Sequence, residues 1–339
     1  MSDDWRYAVD EQTDKTQEGD HRSDQRLWPL FVIALALGSV GYATALRNPN
    51  PELGQKESYD VDWEGEGDVG EPSESSGPVA LAYRPGEERR LQIGFRQADT
   101  SGEYDVTTRI DLSLTEQRDG RADEAGVRLE RTYQKVGVSI EENERAIGPN
   151  IAAQMESLLL GSREILEVDP VGKPRETEWE SVTNPQVRQT LRILRHATLL
   201  VMPRPRRGKV NPGDEWSYRL PAEVVDSANT RGLEGEVQVR EHYMGTVERE
   251  GRRLAVIDRA FDLGASGQIR PRYDADFRSF DLVGEGTGRV LFDPEAGEIV
   301  ESRLEVSRSL EIEGANSQSG PRKGTIRIRL REASSDDAS

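Results

Sequence analysis

Apolar and polar residues alternate along most of the chain after residue 78, with the period of two that marks strands burying one face. Leu91, Ile93 and Phe95 alternate in RRLQIGF, and Val106, Thr108, Ile110, Leu112 and Leu114 in YDVTTRIDLSLT. Val127, Leu129 and Tyr133 continue the pattern, but Val136, Val138 and Ile140 fall on the other parity, which predicts a bulge or a break between them. In the second half Val237, Val239, Tyr243 and Val247 alternate. Leu254 to Leu263 is apolar on both parities and reads as a central strand. Gly288 to Phe292, Ile299 to Ile312 and Thr325 to Leu330 complete the strand set. Short polar turns join nearly all of these segments, so the sheet is expected to be mainly antiparallel.

Two stretches break this rhythm with helical spacing. Asn150 to Leu160 places Ile151, Met155 and Leu158 on one stripe. The other opens at Asn184-Pro185, a cap residue followed by proline at the first helical position, and runs to about Val201. The pattern as a whole predicts a mainly β (α+β) domain over residues 79–332 with two or so packed helices, and a disordered end at 333–339.

Upstream the pattern is different. Leu27 to Leu46, LWPLFVIALALGSVGYATAL, carries no charge and is bracketed by Arg26 and Arg47. Twenty residues at 1.5 Å each reach roughly 30 Å as a helix, one hydrocarbon core. The segment is expected to be a single transmembrane anchor, with the N-terminus cytoplasmic and the large domain extracytoplasmic, as in a bacterial-type inner membrane. Ala43-Thr44-Ala45 leaves a second reading in which the segment is a signal cleaved near Ala45 and the domain is secreted.

Charge sharpens the boundaries. Of the total of -18, residues 1–26 hold -4 and residues 47–78 hold -7, which leaves -7 for residues 79–339. The first 26 residues lack apolar periodicity and read as a disordered acidic tail. Residues 47–78 are rich in Pro, Gly, Ser and carboxylates, the composition of an extended, self-repelling linker. An acidic chain is a poor nucleic-acid partner, and the absence of cysteine removes disulfides, thiol nucleophiles and thiolate metal sites.

Within the linker, Asp60, Asp62, Glu64, Gly65 and Glu71 stand at positions 1, 3, 5, 6 and 12 of a calcium-loop pattern. Alternating carboxylates around a glycine turn could converge on one hard cation. Against a metal site, position 5 is Glu, position 8 is Gly67 where an apolar anchor is usual, and no helix-forming stretch flanks the loop. An acidic linker that meets a permissive pattern accounts for the same residues.

Catalytic signatures are sparse. His21, His196 and His242 have no histidine at helical or hairpin spacing. Gly264-Ala265-Ser266-Gly267 lacks the spacing of a nucleophile elbow. Gly284-Glu285-Gly286-Thr287-Gly288 leads into a strand instead of a helix, so its glycines are expected to let a strand bend or approach a neighbour closely, not to cradle phosphate. Asp274 and Asp276 sit among Arg270, Arg272 and Arg278, a solvated loop rather than a glycosidase pair. No cofactor is implied, and an enzyme would have to assemble its site from scattered carboxylates.

Two features retain interest. The helix after Pro185 sets Arg188, Arg192 and Arg195 beside its apolar face, and Arg204, Arg206, Arg207 and Lys209 follow in MPRPRRGKV. This positive patch could meet anionic lipid headgroups or an acidic partner, or could be the solvated face of an ordinary amphipathic helix. Separately, Pro85-Gly86-Glu87-Glu88 and Pro212-Gly213-Asp214-Glu215 each open a strand. Asp169-Pro170 with Gly172 follows Pro85 by 84 residues, and Asp293-Pro294 with Gly297 follows Pro212 by 81. Either the domain holds two duplicated β-units, 79–205 and 206–332, or it reuses common turn chemistry.

The stretch Gly284 to Val306, GEGTGRVLFDPEAGEIVESRLEV, resembles hairpins in bacterial envelope proteins of the lipoprotein-carrier type and in secreted β-rich families. The resemblance implies a curved antiparallel sheet with helices over its concave face, able to hold an apolar ligand. There is no lipobox cysteine, so attachment would fall to Leu27–Leu46. The expected function is a tethered extracytoplasmic domain that binds an apolar ligand, a lipid or a protein partner. A structural envelope tether and a hydrolase are the alternatives.

Overall fold

The computed structural model describes residues 72–73, 77–101, 104–120, 126–143, 145–146, 153, 156–157, 159–174, 195, 197–221, 230–269, 277–313 and 322–333. Its strands are β1 (Val79–Ala80), β2 (Gly86–Ser101), β3 (Tyr104–Gly120), β4 (Val127–Glu142), β5 (Arg145–Ala146), β6 (Arg163–Val168), β7 (Lys209–Val210), β8 (Glu215–Pro221), β9 (Thr230–Arg249), β10 (Arg252–Ile269), β11 (Arg278–Asp293), β12 (Glu298–Ile312) and β13 (Arg322–Glu332). β1 and β7 form a two-stranded ribbon. The others form one antiparallel sheet in the order β5-β4-β3-β2-β13-β12-β11-β10-β9-β8, with β6 also on the outer edge of β4. The chain makes two meanders, and β13 closes them together by pairing with β2.

Alternation decides which face of this sheet is buried. Leu91, Ile93 and Phe95 of β2, Ile110, Leu112 and Leu114 of β3, Val237 and Val239 of β9, Phe261 and Leu263 of β10, and Ile326, Ile328 and Leu330 of β13 belong to one apolar cluster on the inner face. The parity switch in β4 is a bulge. Tyr133 faces Leu114, Lys135 faces Ser113, and the extra residue Gln134 returns Val136 and Val138 to the inner face.

The doubly apolar segment of β10 has a specific cause. Ala255 and Ile257 point inward, while Leu254 and Val256 join Val247, Leu291 and Val300 in a second cluster on the outer face. β10 is thus buried on both faces only near its start. The strand β6, REILEV, is an addition to the expected set, although the Asp169-Pro170 turn follows it directly.

Helical backbone among the described residues is confined to positions 153, 156–157 and 159, and to 195 and 197–201. Leu159, Ala197, Val201 and Met202 are buried in the inner cluster, as are Val79, Leu81, Tyr83 and Val210. The second helix ends near Val201, as its spacing predicts; its start lies outside the described residues. The apolar segment Leu27–Leu46 also lies outside them, and no helix among the described residues is long and apolar enough to cross a membrane.

Candidate functional site

The inner face has a polar end and a more apolar end. At the polar end each meander buries a Glu directly opposite an Arg. Glu116 on β3 faces Arg131 on β4, and Glu241 on β9 faces Arg259 on β10. Isolated buried charge is too costly to persist, so each pair must be satisfied locally.

In the first meander the solution is a cluster of ions. Glu116 accepts from Arg89 Nη2 at 2.6 Å and from Arg131 Nε at 2.7 Å. Arg131 also approaches Glu164 of β6 at 3.9 Å, and Glu164 accepts from the Tyr133 hydroxyl at 3.1 Å. Burial works to raise the Glu116 carboxyl, but the Arg89 and Arg131 guanidiniums outweigh it and hold the group at about 2. For Glu164 burial wins over Arg131 and Tyr133, and its pKa is raised. Its Oε1 makes no hydrogen bond among the described residues.

In the second meander the partners are aromatic side chains and main chain. Arg259 donates to Glu241 at 3.0 Å, to the Tyr218 hydroxyl at 2.7 Å and to the carbonyls of Leu200 and Met202 at 2.6 and 3.3 Å. Glu241 also accepts from Trp216 Nε1 and the Tyr218 hydroxyl, each at 2.8 Å, and from the Arg204 N–H. Burial, together with Glu241, raises the Tyr218 hydroxyl well above its ordinary range.

These contacts are part of a larger clamp on the end of the second helix, where carbonyls lack intrahelical partners. Ser302 Oγ donates to the Val201 carbonyl at 2.7 Å, the Tyr83 hydroxyl to that of Pro203 at 3.1 Å, and Trp216 Nε1 to that of Arg204 at 2.8 Å. With the two bonds from Arg259, every carbonyl from Leu200 to Arg204 is held by a side chain of the sheet or of the strap before β2.

The strap itself runs between two matching turns. Asp169 Oδ1 accepts from the N–H groups of Val171 and Lys173, and Asp293 Oδ1 from those of Glu295 and Ala296. Gly172 and Gly297 then take φ values of 74° and 68°. Tyr83 N–H donates to Pro170 O and Arg84 N–H to Gly297 O, so the strap is bonded to both turns. A Cβ on Gly172 would lie 2.7 Å from the Pro203 carbonyl, and one on Gly297 2.6 Å from that of Ala82. Glycine is required at both by conformation and by space.

Away from this end the inner face is more apolar and less covered, although it holds Gln97, Thr108 and an Arg308–Asp99 ion pair at 2.8 Å. Val106, Val136, Val138, Leu310 and Ile312 pack on the cluster but are only partly buried. Gly284, Gly286 and Gly288 sit on the core parity of β11 and bring no side chains to it. Added Cβ atoms would meet the carbonyls of Ser307, Glu305 and Arg303 at 2.5–2.8 Å, so these glycines permit close strand approach, as expected from the sequence.

The residues of the expected cationic patch are divided by the structure. Arg204 is half-buried, its guanidinium 4.9 Å from the Tyr218 ring centroid and its main chain clamped to the sheet. Arg206, Arg207 and Lys209 are exposed, and Arg195 is half-buried on the helix. Arg188 and Arg192 lie outside the described residues, as do Asp60, Asp62, Glu64 and Glu71 of the calcium-like pattern, His21, His196, Asp274 and Asp276. His242 lies on β9 in register with Glu215 and Asp258. No group of His, Asp or Glu among the described residues is placed to hold a metal ion.

Sequence reasoning passed over Glu116, Arg131, Glu241 and Arg259, although a signal exists. Each charge occupies the apolar parity of its strand and is flanked two residues away by a buried apolar or aromatic residue. Examples are Leu129-x-Arg131-x-Tyr133 and Ile257-x-Arg259-x-Phe261. A charge in phase with the core calls for a buried partner on the neighbouring strand.

No family model matches the sequence, and no curated protein matches it. Among solved structures the fold is similar to that described as lipid-protein interactions in lipovitellin, at 11% identity and a TM-score of 0.44. The likeness covers 74% of this chain and 25% of that one, so the chain spans about a quarter of its length.

Proposed function

We propose that this protein is a membrane-tethered, extracytoplasmic apolar-ligand carrier without catalytic activity, held by Leu27–Leu46 and binding along the inner face of a curved sheet. The observation that carries this reading is the asymmetry of that face. One end is filled by two Glu–Arg pairs and the helix clamp, while the other, beside a single Arg308–Asp99 pair, offers partly buried Val106, Val136, Val138, Leu310 and Ile312. An apolar surface left incompletely covered beside a rigid wall suits an acyl chain or a similar hydrophobe. The matched turns and matched Glu–Arg pairs further support two copies of one β-unit, 79–205 and 206–332, sharing the sheet.

Lipid extraction and native mass spectrometry of the full chain, exchanged from detergent into nanodiscs of defined lipid, test the carrier reading. The expected result is a stoichiometric co-purifying hydrophobe that is lost in Val138→Asp and Leu310→Asp variants with unchanged circular dichroism. A chain that carries none, and takes up no fluorescent fatty acid, would overturn it in favour of a protein-binding or structural role. Carbonate extraction and protease accessibility test the tether separately: release from membranes by carbonate would mean that Leu27–Leu46 does not remain as an anchor.

A further inference from the structure

The outer face of the sheet carries an open groove of about 720 Å³ that crosses β10 to β13, lined by Arg289, Arg303, Arg327 and Arg329 among others. On most of this face, charges oppose each other in complementary pairs. Arg289 donates to Asp258 at 2.6 and 2.9 Å, Arg240 meets Asp262 at 3.2 Å, and Arg219 meets Glu236 at 3.2 Å. Several rows break this rule. Arg289, Arg303 and Arg329 are directly opposite one another across β11, β12 and β13, with Asp258 bonded to Arg289 and Glu301 shared by Arg303 and Arg329. A neighbouring row continues past β13 onto the first meander. Arg327 on β13 is directly opposite Arg96 on β2, and Arg96 is directly opposite Arg109 on β3. Glu305, at the β12 end of the row, pairs with Arg327 at 2.9 Å. Like charges directly opposed on neighbouring strands are destabilising, and in a chain of net charge -18 such a row stands out as a place for an anion.

The chain contains a segment of matching chemistry. Residues 57–71 hold seven carboxylates and no cation, and Asp60, Asp62, Glu64, Glu66 and Asp68 recur at every second position. In extended backbone that period places all five on one side. Ser73 bonds through its N–H to the Thr246 carbonyl at the free edge of β9, which fixes where the segment is tethered. From β9 the row begins four strand spacings away at β13 and ends six away at β3, ~19 to ~29 Å across the sheet, and the segment back to Asp60 can reach up to ~43 Å when extended.

We propose that the acidic segment 57–71 docks along the outer face over the Arg327–Arg96–Arg109 row, as an internal ligand of this sheet. The contact is electrostatic and period-matched, and it leaves the inner face unobstructed. It therefore stands or falls independently of ligand binding there.

The absence of cysteine allows a direct test in the full chain. In a chain carrying Asp62→Cys and Ala98→Cys, the intramolecular disulfide should form at low salt. Its rate should fall about tenfold when Asp60, Glu64, Glu66 and Asp68 are changed to Asn or Gln, substitutions that alter no residue of β1–β13. Charge reversal by Arg96→Glu and Arg327→Glu should give the same loss. Lysines at 60, 64 and 66 in that background should restore the rate, a rescue that a folding defect would not show. A rate insensitive to these changes, or disulfides formed only between chains, would overturn the proposal. So would binding of phosphatidylglycerol vesicles through Arg96 and Arg327 with no effect of the segment's charge.

Discussion

The two meanders bury the same Glu–Arg pair at the same place and satisfy it by different means. What differs is the residue on the next strand. Beside Glu116 stands Arg89, and beside Arg131 stands Glu164. Beside Glu241 stands Trp216, and beside Arg259 stands Gly288. The first meander therefore builds a run of ions, which Arg89 continues to Glu298 at 3.4 Å and to the Ile299 carbonyl at 2.6 Å. In the second, Gly288 brings no side chain, and the end of the second helix supplies the Leu200 and Met202 carbonyls to Arg259 instead. A buried pair can be kept at one position of a fold while its neighbours decide whether it becomes an ion cluster or a docking point for another element.

The largest expected effect is at the ion cluster. Glu116→Ala leaves Arg131 and Arg89 buried without their shared acceptor and should cost about 3–5 kcal/mol in urea unfolding. Glu241→Ala should cost less, ~2–4 kcal/mol, because Arg259 keeps two carbonyls and the Tyr218 hydroxyl. Equal losses would mean that the main-chain bonds to Arg259 contribute nothing measurable.

The same comparison has a pH signature. The Glu116 carboxyl is depressed in the fold to about 2, so its contribution is present above the unfolded value near 4.3 and is lost as pH falls through that window. The difference corresponds to roughly 3 kcal/mol. Urea midpoints measured from pH 6 to pH 2 should fall more steeply for the native chain than for Glu116→Gln. Glu164 has the opposite sign. Its raised pKa favours the fold below the unfolded value and costs stability as pH rises through the folded one. The urea midpoint of Glu164→Gln should therefore gain on that of the native chain as pH rises from acid to pH 8; a difference between the two that does not change with pH would refute this assignment.

The two turns offer a finer comparison. Gly172→Ala and Gly297→Ala should each cost about 1–3 kcal/mol, from positive φ and from overlap with main chain. Gly172→Ala should in addition disturb Tyr83, whose ring lies 2.6 Å from the added Cβ, and so loosen the helix clamp. The smallest effect is Tyr83→Phe, which removes the bond to Pro203 O and should lower stability by about 1 kcal/mol. Hydrogen exchange at residues 200–204 should rise in Gly172→Ala and Tyr83→Phe and stay unchanged in Gly297→Ala.

Alternation made the strands legible, because a face buried along a strand imposes its period on the sequence. The β4 bulge, the antiparallel meanders and the end of the second helix could be read that way. β6 could not, since a six-residue strand that buries Glu164, Ile165, Leu166 and Val168 shows no alternation, even though the Asp169 turn follows it. Nor could the β13–β2 pairing, which joins residues more than 200 positions apart. Of the candidate site, the apolar wall was visible and the buried charges were overlooked, although their phase with the core announces them.

By itself, then, the sequence determined which residues face inward, where the turns fall, and that an acidic flank separates an apolar segment from a β-rich domain. Those properties follow from local period and composition. Only the tertiary structure decided which charges meet. Glu116 finds Arg131 within one hairpin, but Arg259 finds Leu200 and Met202 across 59 and 57 residues, and Ser302 finds Val201 across 101. Partners at that separation are chosen by how the helix end lies on the sheet, which no window of sequence contains.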